Sequence, residues 1–380
     1  MADRNSPSAH LRRPPEPVPL TVLTGFLGAG KTTLLNRLLQ EPALADTAVL
    51  INEFGEIGLD HLLVEPVGDG MVMLSSGCLC CTVRGDLVTA LEKLTRDLDN
   101  GRVKFSRVVI ETTGLADPAP VLHTIMAHPY LVLRYRLDGV ITLVDACSGM
   151  ATLDRHPEAV KQAAVADRLV LSKTDLVAPA AARCAKDALV ARLHALNPAA
   201  PVLDAAAGEA AAARLLDCGL YDPQRKAPDV RRWLAEEAYA QAHDHDGHVH
   251  DRNRHDDHIR AFALATEEAI PGTAFDLFME LVRSLHGPNL LRLKGIVKLA
   301  ENPDAPLVVH GVQHILHPPT QLSSWPDGDR RTRLVFIVRD IEERTIRELF
   351  AAFLNTAAPD RPDRAALTDN PLVPFGGLDR

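Results

Sequence analysis

The sequence predicts an α/β protein in which a doubly wound, mainly parallel sheet is followed by a smaller C-terminal α+β domain. Short aliphatic runs alternate with helical patterns along the N-terminal part of the chain, as in successive strand–helix units. A stretch at residues 241–260 with almost no apolar side chains then separates this part from a second folded region. The 380 residues, of which 46% are hydrophobic, suffice for two domains.

The predicted strands are short and apolar, which is typical of strands buried on both faces of a parallel sheet. They are Val18–Leu23, Thr47–Ile51, Val72–Leu74, Phe105–Ile110, Leu137–Val144, Arg168–Leu171 and Pro201–Leu203. The C-terminal region mixes strand-like runs with helical patterns near Thr273–Leu285 and Ile341–Phe353. We therefore expect a flexible N-terminal segment at 1–17, the sheet domain at 18–226, a linker at 227–258, the second domain at 259–357 and a tail at 358–380.

Composition narrows the classes of function. The formal net charge is −9 and no long basic block occurs, which argues against nucleic acid as a partner. No apolar run approaches the roughly 20 residues of a membrane span, and the N-terminal segment lacks the apolar core of a secretory signal. We therefore expect a cytoplasmic protein without a membrane partner, in which clustered cysteines bind metal or react more often than they form disulfides.

The first strand leads into a glycine-rich stretch, from Gly25 to Thr32, that matches the P-loop template G-x-x-x-x-G-K-[ST]. A helical leucine pattern follows, and this strand–loop–helix context argues against a chance glycine turn. Backbone N–H groups of such a loop surround phosphates, Lys31 reaches the β- and γ-phosphates, and the Thr32 hydroxyl binds Mg²⁺. The predicted phosphate-binding residues are Gly25, Gly28, Ala29, Gly30, Lys31, Thr32 and Thr33.

A second motif indicates which nucleotide binds. The strand at 168–171 delivers Ser172-Lys173-x-Asp175, which resembles the [N/T/S]-K-x-D guanine signature of GTPases. A carboxylate at Asp175 can accept from N1–H and the 2-amino group of guanine, whereas adenine offers neither donor. Lys173 is expected to lie along the base, and Asn197 stands where GTPases place a second base-contacting loop. A polar turn after a strand is the alternative. The sequence therefore favours GTP.

A third motif, Glu111-x-x-Gly114, follows the strand at 105–110. It occupies the place of the element that senses the γ-phosphate in GTPases. Glu111 is a candidate to hold Mg²⁺ through water, and the Gly114 N–H is a candidate donor to the γ-phosphate. Leu115 stands where related enzymes keep a glutamine that positions water, and a leucine cannot orient water. We therefore expect slow intrinsic hydrolysis, with Lys31, Glu111 and Gly114 as the catalytic set.

Three of the six cysteines, Cys78, Cys80 and Cys81, lie close together. Thiolates suit borderline-soft ions such as Zn²⁺ and Co²⁺. Cys78 and Cys80 would point the same way on an extended strand, whereas Cys81 either completes the site or faces away. A redox or purely structural role is the alternative to metal binding.

Together these motifs resemble the CobW-type family of P-loop GTPases, which are metallochaperones and metalloenzyme activators and include zinc-regulated members. The resemblance covers roughly residues 18–355. The matching stretches are Gly25–Thr32, Asn52–Asp60 (NEFGEIGLD), Gly77–Cys81 (GCLCC), Glu111–Gly114 (ETTG), Ser172–Asp175 (SKTD), Leu290–Leu299 (LLRLKGIVKL), Val308–His314 (VVHGVQH) and Ser323–Ile337.

The resemblance has implications for the metal site. The cysteines are similar to the family's C-x-C-C metal motif, and Glu53 and Glu56 lie where a GTPase has its first switch. Glu56 is a candidate oxygen ligand; Glu53 and His128 remain alternatives, although a histidine such as His128, which precedes Pro129, is more often an ordinary surface residue. If a switch glutamate joins the thiolates, metal and γ-phosphate act on the same mobile loop.

A histidine-rich run precedes the second domain. Imidazoles alternate there with aspartate and glycine, so the run cannot bury itself and is expected to be a flexible linker. Neutral imidazoles bind Zn²⁺, Ni²⁺, Co²⁺ and Cu²⁺. A solvated linker without specific ligands is the alternative. The candidate ligands are His243, His245, His248, His250, His255 and His258.

The resulting hypothesis is a GTP-hydrolysing metallochaperone that binds zinc and delivers it to a client metalloprotein. Two alternatives remain. One is a cobalt chaperone for cobalamin synthesis or nitrile hydratase activation. The other is a zinc buffer or sensor whose nucleotide site is vestigial, against which the intact Lys31, Thr32 and Asp175 argue.

Overall fold

The computed structural model of the protein describes residues 16–53, 64–66, 72–77, 83–177, 181–217 and 258–354. These residues form two sheets, one on each side of the histidine-rich run in the sequence. The predicted domain boundaries at residues 226 and 357 lie outside the described residues and stay predictions.

The first sheet is the predicted doubly wound, mainly parallel one. Its strands follow the order β3-β4-β2-β5-β1-β6-β7-β8, and β3 alone runs antiparallel to its neighbour. The three-residue edge strand β3 was not predicted. The strands are β1 (Val18–Gly25), β2 (Thr47–Glu53), β3 (Val64–Pro66), β4 (Val72–Gly77), β5 (Arg107–Glu111), β6 (Tyr135–Asp145), β7 (Arg168–Ser172) and β8 (Val202–Asp204).

Helices cover both faces of this sheet. Leu20 and Val22 of the central strand pack on one face with α2 and α3, whereas Leu23 packs on the other face with α1, as the alternation of side chains along a strand requires. The helices are α1 (Lys31–Leu38), α2 (Val83–Asp99), α3 (Ala119–Ala127), α4 (Leu131–Arg134), α5 (Gly149–Arg155), α6 (Pro157–Ala164), α7 (Ala181–Leu196) and α8 (Ala212–Leu215). In the described parts of the chain, no helix is both long and apolar enough to cross a bilayer.

The second sheet is antiparallel and has the order β12-β11-β10-β14-β9, with β13 paired to β11. Phe278 and Phe350, from the two predicted helices, pack with Phe262 and Phe336 on one face. The predicted α+β domain is thereby confirmed. Its elements are β9 (Ile259–Thr266), α9 (Gly272–His286), β10 (Leu290–Val297), β11 (Leu307–Val312), β12 (Ile315–Leu316), β13 (Thr320–Gln321), β14 (Thr332–Arg339) and α10 (Glu343–Phe353).

The other face of the second sheet packs on the first domain. Ile296, Val308, Val335 and Ile337 form an apolar cluster that includes Ala164 at the end of α6. Such a shared cluster buries apolar surface from both domains and so favours one fixed arrangement between them.

A buried ion cluster lies in the same interface. Asp167, 5% exposed, accepts hydrogen bonds from Arg292 at 2.7 and 2.8 Å, from Lys294, and from the Val140 N–H at 2.8 Å. Burial by itself would raise the pKa of the Asp167 carboxyl, but the charges of Arg292 and Lys294 and these hydrogen bonds lower it to about 2. The carboxylate therefore stays ionised and joins the two domains.

We expect Asp167→Asn to lower the free energy of unfolding by about 3–5 kcal/mol at neutral pH, because Arg292 and Lys294 would lose their buried counter-charge. The measurement is the denaturant midpoint of the full chain. The folded pKa of Asp167 lies below its unfolded value, so its contribution is complete above roughly pH 4 and is lost as pH falls toward about 2.

The matched control is Asp99→Asn. Asp99 pairs with Arg134 at 2.5 Å, but its side chain is 49% exposed, so its loss should change stability by less than about 1 kcal/mol. Equal losses from both substitutions would contradict a special role for the buried carboxylate.

Candidate functional site

Three predicted loops meet at one edge of the first sheet. β1 pairs in parallel with β5 on one side, where Leu23 lies opposite Glu111, and with β6 on the other, where Gly25 lies opposite Leu143. β7 continues the parallel series beyond β6. Because parallel strands end at the same edge, the loops after β1, β5 and β7 come together there.

The glycine loop after β1 folds around a buried ammonium group. Gly25 has φ +140°, and a Cβ there would lie 2.5 Å from the Leu143 carbonyl oxygen; Gly30 has φ +88°. Lys31, 8% exposed, donates from Nζ to the carbonyl oxygens of Gly25 at 2.9 Å and Phe26 at 3.4 Å. Burial lowers the pKa of Lys31, while the nearby Glu111 carboxylate opposes that shift. A cation beside a helix N-terminus suits a phosphate.

Two predicted Mg²⁺ ligands from separate motifs are hydrogen-bonded to each other. The Thr32 hydroxyl donates to Oε1 of Glu111 at 2.7 Å, and Glu111 is 4% exposed at the end of β5. Mg²⁺ is usually held by one or two protein oxygens together with phosphates, and this pair fits that donor set. Among the described residues, no group of three or more His, Cys, Asp or Glu side chains is arranged to hold a metal.

The loop after β5 touches the glycine loop. A Cβ on Gly114 would lie 2.5 Å from the Leu27 backbone nitrogen. Leu27 and Leu115, one in each loop, are 58% and 49% exposed. The two phosphate motifs are thus in van der Waals contact through glycine.

The loop after β7 is tied to the glycine loop. The Ser172 hydroxyl donates to the Ala29 carbonyl oxygen at 2.7 Å. Lys173 has φ 56° and donates from Nζ to Asp145 at 2.7 Å. Asp175 is exposed in a short 3₁₀ helix, Thr174–Leu176, so its carboxylate is accessible.

Asp145 was not predicted as a site residue, yet it supports Lys173. Burial raises the pKa of Asp145, but hydrogen bonds from Lys173 and from the N–H groups of Cys147 and Ser148 hold it below its usual value. The sequence feature that could have identified Asp145 is its position at the end of a strand, at the same edge of the sheet as the glycine loop.

The structure contradicts the expectation that Asn197 contacts the base. Asn197 is 3% exposed, and its side-chain amide donates to the carbonyl oxygens of Ala163, Ala164 and Ala166 at 2.9–3.1 Å. It ends α7, which leads back to the start of β8 and so to the opposite edge of the sheet. The loop after β8 lies beside the Ser172–Asp175 loop instead, because Thr174 donates to Asp204 at 2.5 Å.

The structure describes some of the remaining predicted site residues and not others. Thr33 is exposed on α1, Gly28 has φ +73°, and His128 ends α3. His258 is exposed, and its Nδ1 lies 2.6 Å from Asp340. The other candidate metal ligands lie outside the described residues; they are Cys78, Cys80, Cys81, Glu56, His243, His245, His248, His250 and His255.

The backbone shows where the strand that precedes the cysteine motif in the sequence ends. β2 pairs with β4 so that Glu53 lies opposite Gly77, and Cys78 follows Gly77 in the sequence. β2 also pairs with β5, where Ile51 lies opposite Glu111. The strand leading to the cysteines and the strand carrying Glu111 therefore flank the same strand.

Two family models match the chain. Residues 19–204 match the nucleotide-binding domain described as CobW/HypB/UreG, and residues 259–354 match the cobalamin synthesis protein cobW C-terminal domain. The zinc chaperone YjiA of Escherichia coli (strain K12) is 33% identical over 335 residues, which is 88% of this chain and 98% of that protein. The chain belongs to the CobW/HypB/UreG family.

A second relative and a crystal structure of YjiA are also similar to this chain. The zinc-regulated GTPase metalloprotein activator 1 of Schizosaccharomyces pombe is 42% identical over 170 residues, 43% of this chain and 40% of that protein. The crystal structure of Zn(II)-bound YjiA GTPase from E. coli is similar with a TM-score of 0.65 and 30% identity, and the alignment covers 89% of this chain and 99% of that one. The resemblance found in the sequence motifs is thus confirmed.

We expect Gly114→Ala to lower the free energy of unfolding by about 1–3 kcal/mol, because the added methyl group overlaps the Leu27 backbone and forces the two loops apart. Denaturant unfolding measures this. Gly328→Ala is the control: a Cβ at Gly328 meets nothing within 4 Å, so the change should stay within about 0.5 kcal/mol. Equal stability of the two variants would show that the loops do not need this contact.

Proposed function

We propose that the protein is a GTP-hydrolysing metallochaperone that binds zinc and delivers it to client metalloproteins in a nucleotide-dependent way. The observation that carries the proposal is the 2.7 Å contact of Thr32 with Glu111 beside the buried ammonium of Lys31. A hydroxyl, a carboxylate and a cation at a helix N-terminus form a site for a nucleotide phosphate with Mg²⁺. We expect the protein to hydrolyse GTP and deliver zinc in the cytosol.

Guanine selectivity is assigned to the loop after β7. Asp175 is accessible to a base, and its carboxylate matches the two adjacent donors of guanine. Lys173 is held by Asp145, so its aliphatic chain has a fixed direction along which a base can lie. Ser172 fixes the loop to Ala29 and thereby sets the distance between the base and phosphate sites.

Hydrolysis is assigned to Lys31, Glu111 and Gly114. When bound, Mg²⁺ would neutralise charge on the phosphate oxygens, with Thr32 and Glu111 as its protein partners. Lys31 supplies the fixed positive charge at the phosphates, and the Gly114 N–H is the candidate donor to the γ-phosphate. Leu115 has no group that orients water, so the intrinsic rate is expected to be slow.

Zinc as cargo is assigned to the cysteine motif. Thiolates of Cys78 and Cys80 provide two ligands suited to Zn²⁺, and Cys81 and Glu56 are candidates for the rest. Three relatives support zinc: YjiA of E. coli and CobW of Sinorhizobium are named zinc chaperones, and the S. pombe relative is named a zinc-regulated GTPase metalloprotein activator. Cobalt, which the same ligands accept, remains the second candidate cargo. The histidine-rich run would hold further ions weakly.

The test is nucleotide turnover by the wild type and by Asp175→Asn, with GTP or ATP as the substrate. We expect the wild type to prefer GTP by about 100-fold or more, because adenine would leave the carboxylate without its donors. Asp175→Asn should reduce that preference by about tenfold or more, since the amide oxygen can accept from only one of the two guanine donors and the amide NH₂ group would face the other.

Asp187→Asn on α7 is the matched control, because Asp187 is exposed and lies outside the base loop; its preference should equal that of the wild type. Each assay is run with and without Zn²⁺. Equal use of GTP and ATP by the wild type would contradict the guanine assignment. A complete lack of GTP turnover in both conditions would favour the zinc buffer or sensor with a vestigial nucleotide site.

A further inference from the structure

A buried amide on α6 holds the loop that contains Gly114. Gln162 is 1% exposed, and its Nε2 donates to the carbonyl oxygens of Gly114 at 3.2 Å and Ala116 at 3.0 Å. Its main-chain oxygen accepts from the Thr142 hydroxyl at 2.8 Å, which attaches α6 to the central part of the sheet. Gln162 therefore connects a rigid support to the loop after β5.

The orientation of this amide is determined by the loop. Both acceptors are carbonyl oxygens, so the NH₂ group must face them, and a flipped amide would set Oε1 against two oxygens. Oε1 itself is buried and has no hydrogen-bond partner in the described part of the chain. Within the described residues, Oε1 is thus left unsatisfied while the Gln162 NH₂ group donates to two carbonyl oxygens of the loop. This indicates that the amide holds the loop in its position.

A neighbouring residue adds a third attachment. Lys161 donates from Nζ to Asp117 at 2.9 Å, and both side chains are partly exposed, at 25% and 27%. Two adjacent residues of α6 therefore hold the loop from Gly114 to Asp117. Gly114 needs such support, because glycine has more backbone freedom than any other residue and would otherwise sample many directions.

We infer that Gln162 is a positioning residue that makes the site distinguish GTP from GDP. By fixing the Gly114 carbonyl, it sets the backbone of the residue whose N–H would face the γ-phosphate. The inference rests on the proposed GTPase function. GDP has no γ-phosphate, so the loss of this positioning should weaken the binding of GTP and leave that of GDP unchanged.

The test compares the affinities of GDP and a non-hydrolysable GTP analogue for the full chain and for Gln162→Met, which keeps the side-chain volume but has no donor. We expect the affinity for the GTP analogue to fall about tenfold, because a loop that is no longer held must be ordered when the γ-phosphate binds, while the affinity for GDP changes less than about twofold.

Thr95→Val is the control for stability alone. Thr95 is 2% exposed on α2, and its hydroxyl bonds to the Leu91 carbonyl oxygen and the Tyr135 hydroxyl, both at 2.8 Å. This variant also loses buried hydrogen bonds and should melt at a lower temperature, but the ratio of the two nucleotide affinities should equal that of the wild type.

Equal loss of affinity for GDP and the GTP analogue in Gln162→Met would overturn the inference and leave Gln162 a structural residue. If that variant does not fold, Gln162→Ala removes the same two hydrogen bonds with a smaller side chain: a selective loss of affinity for the GTP analogue supports the inference, and an unchanged ratio overturns it. Failure of the wild type to bind GTP would instead overturn the proposed function, so the two failures are distinguishable.

Discussion

The parallel pairing of β1 with β5 on one side and β6 on the other places the whole candidate site. Because all three strands run in the same direction, their loops leave the sheet at one edge and Lys31, Thr32 and Glu111 converge there. The approach of β1 to β6 is so close that a side chain at Gly25 would meet the Leu143 carbonyl oxygen at 2.5 Å. A single sheet register thus sets the distances on which phosphate binding depends.

Helix α6 extends this arrangement to the second domain. Gln162 on α6 holds the loop after β5, and Asp167, which follows the helix, binds Arg292 and Lys294 of the second sheet. One short element therefore contacts both the candidate γ-phosphate sensor and the domain interface. The buried carboxylate fixes the second domain against α6, since an ionised group in that position needs both of its cationic partners.

The sequence predicted those parts of the protein that carry strong local patterns. The buried strands and the glycine loop were predicted correctly because apolar runs and a fixed motif spacing are local properties. β3 was missed because a strand of three residues is too short to show a recognisable alternation of apolar and polar side chains. Asn197 was assigned wrongly because sequence proximity to a strand does not say at which edge of the sheet a residue lies.

Other site residues depend on tertiary structure. Asp145 and Gln162 belong to no motif, and their roles follow from the folding of distant segments against the phosphate loops. The link from Gln162 to Gly114 spans elements that only the sheet brings together. No local pattern in the sequence contains that information.

Metal and nucleotide would act on one part of the protein under the proposed function. β2 lies between β4, which leads to the cysteine motif, and β5, which ends at Glu111. An ion held by Cys78, Cys80 and a switch glutamate would therefore order the region that a bound nucleotide also orders. Coupling of this kind is reciprocal, so each ligand must tighten the other by the same factor.

The most direct measurement is a competition titration of Zn²⁺ into nucleotide-free protein, the GDP complex and the complex with a GTP analogue. The account predicts that the GTP analogue tightens zinc binding by about 5–150-fold relative to the nucleotide-free protein, and that Cys80→Ser weakens zinc binding and abolishes the difference. Equal zinc affinity in all three states would contradict nucleotide-gated zinc delivery and leave a GTPase and a zinc site that do not communicate.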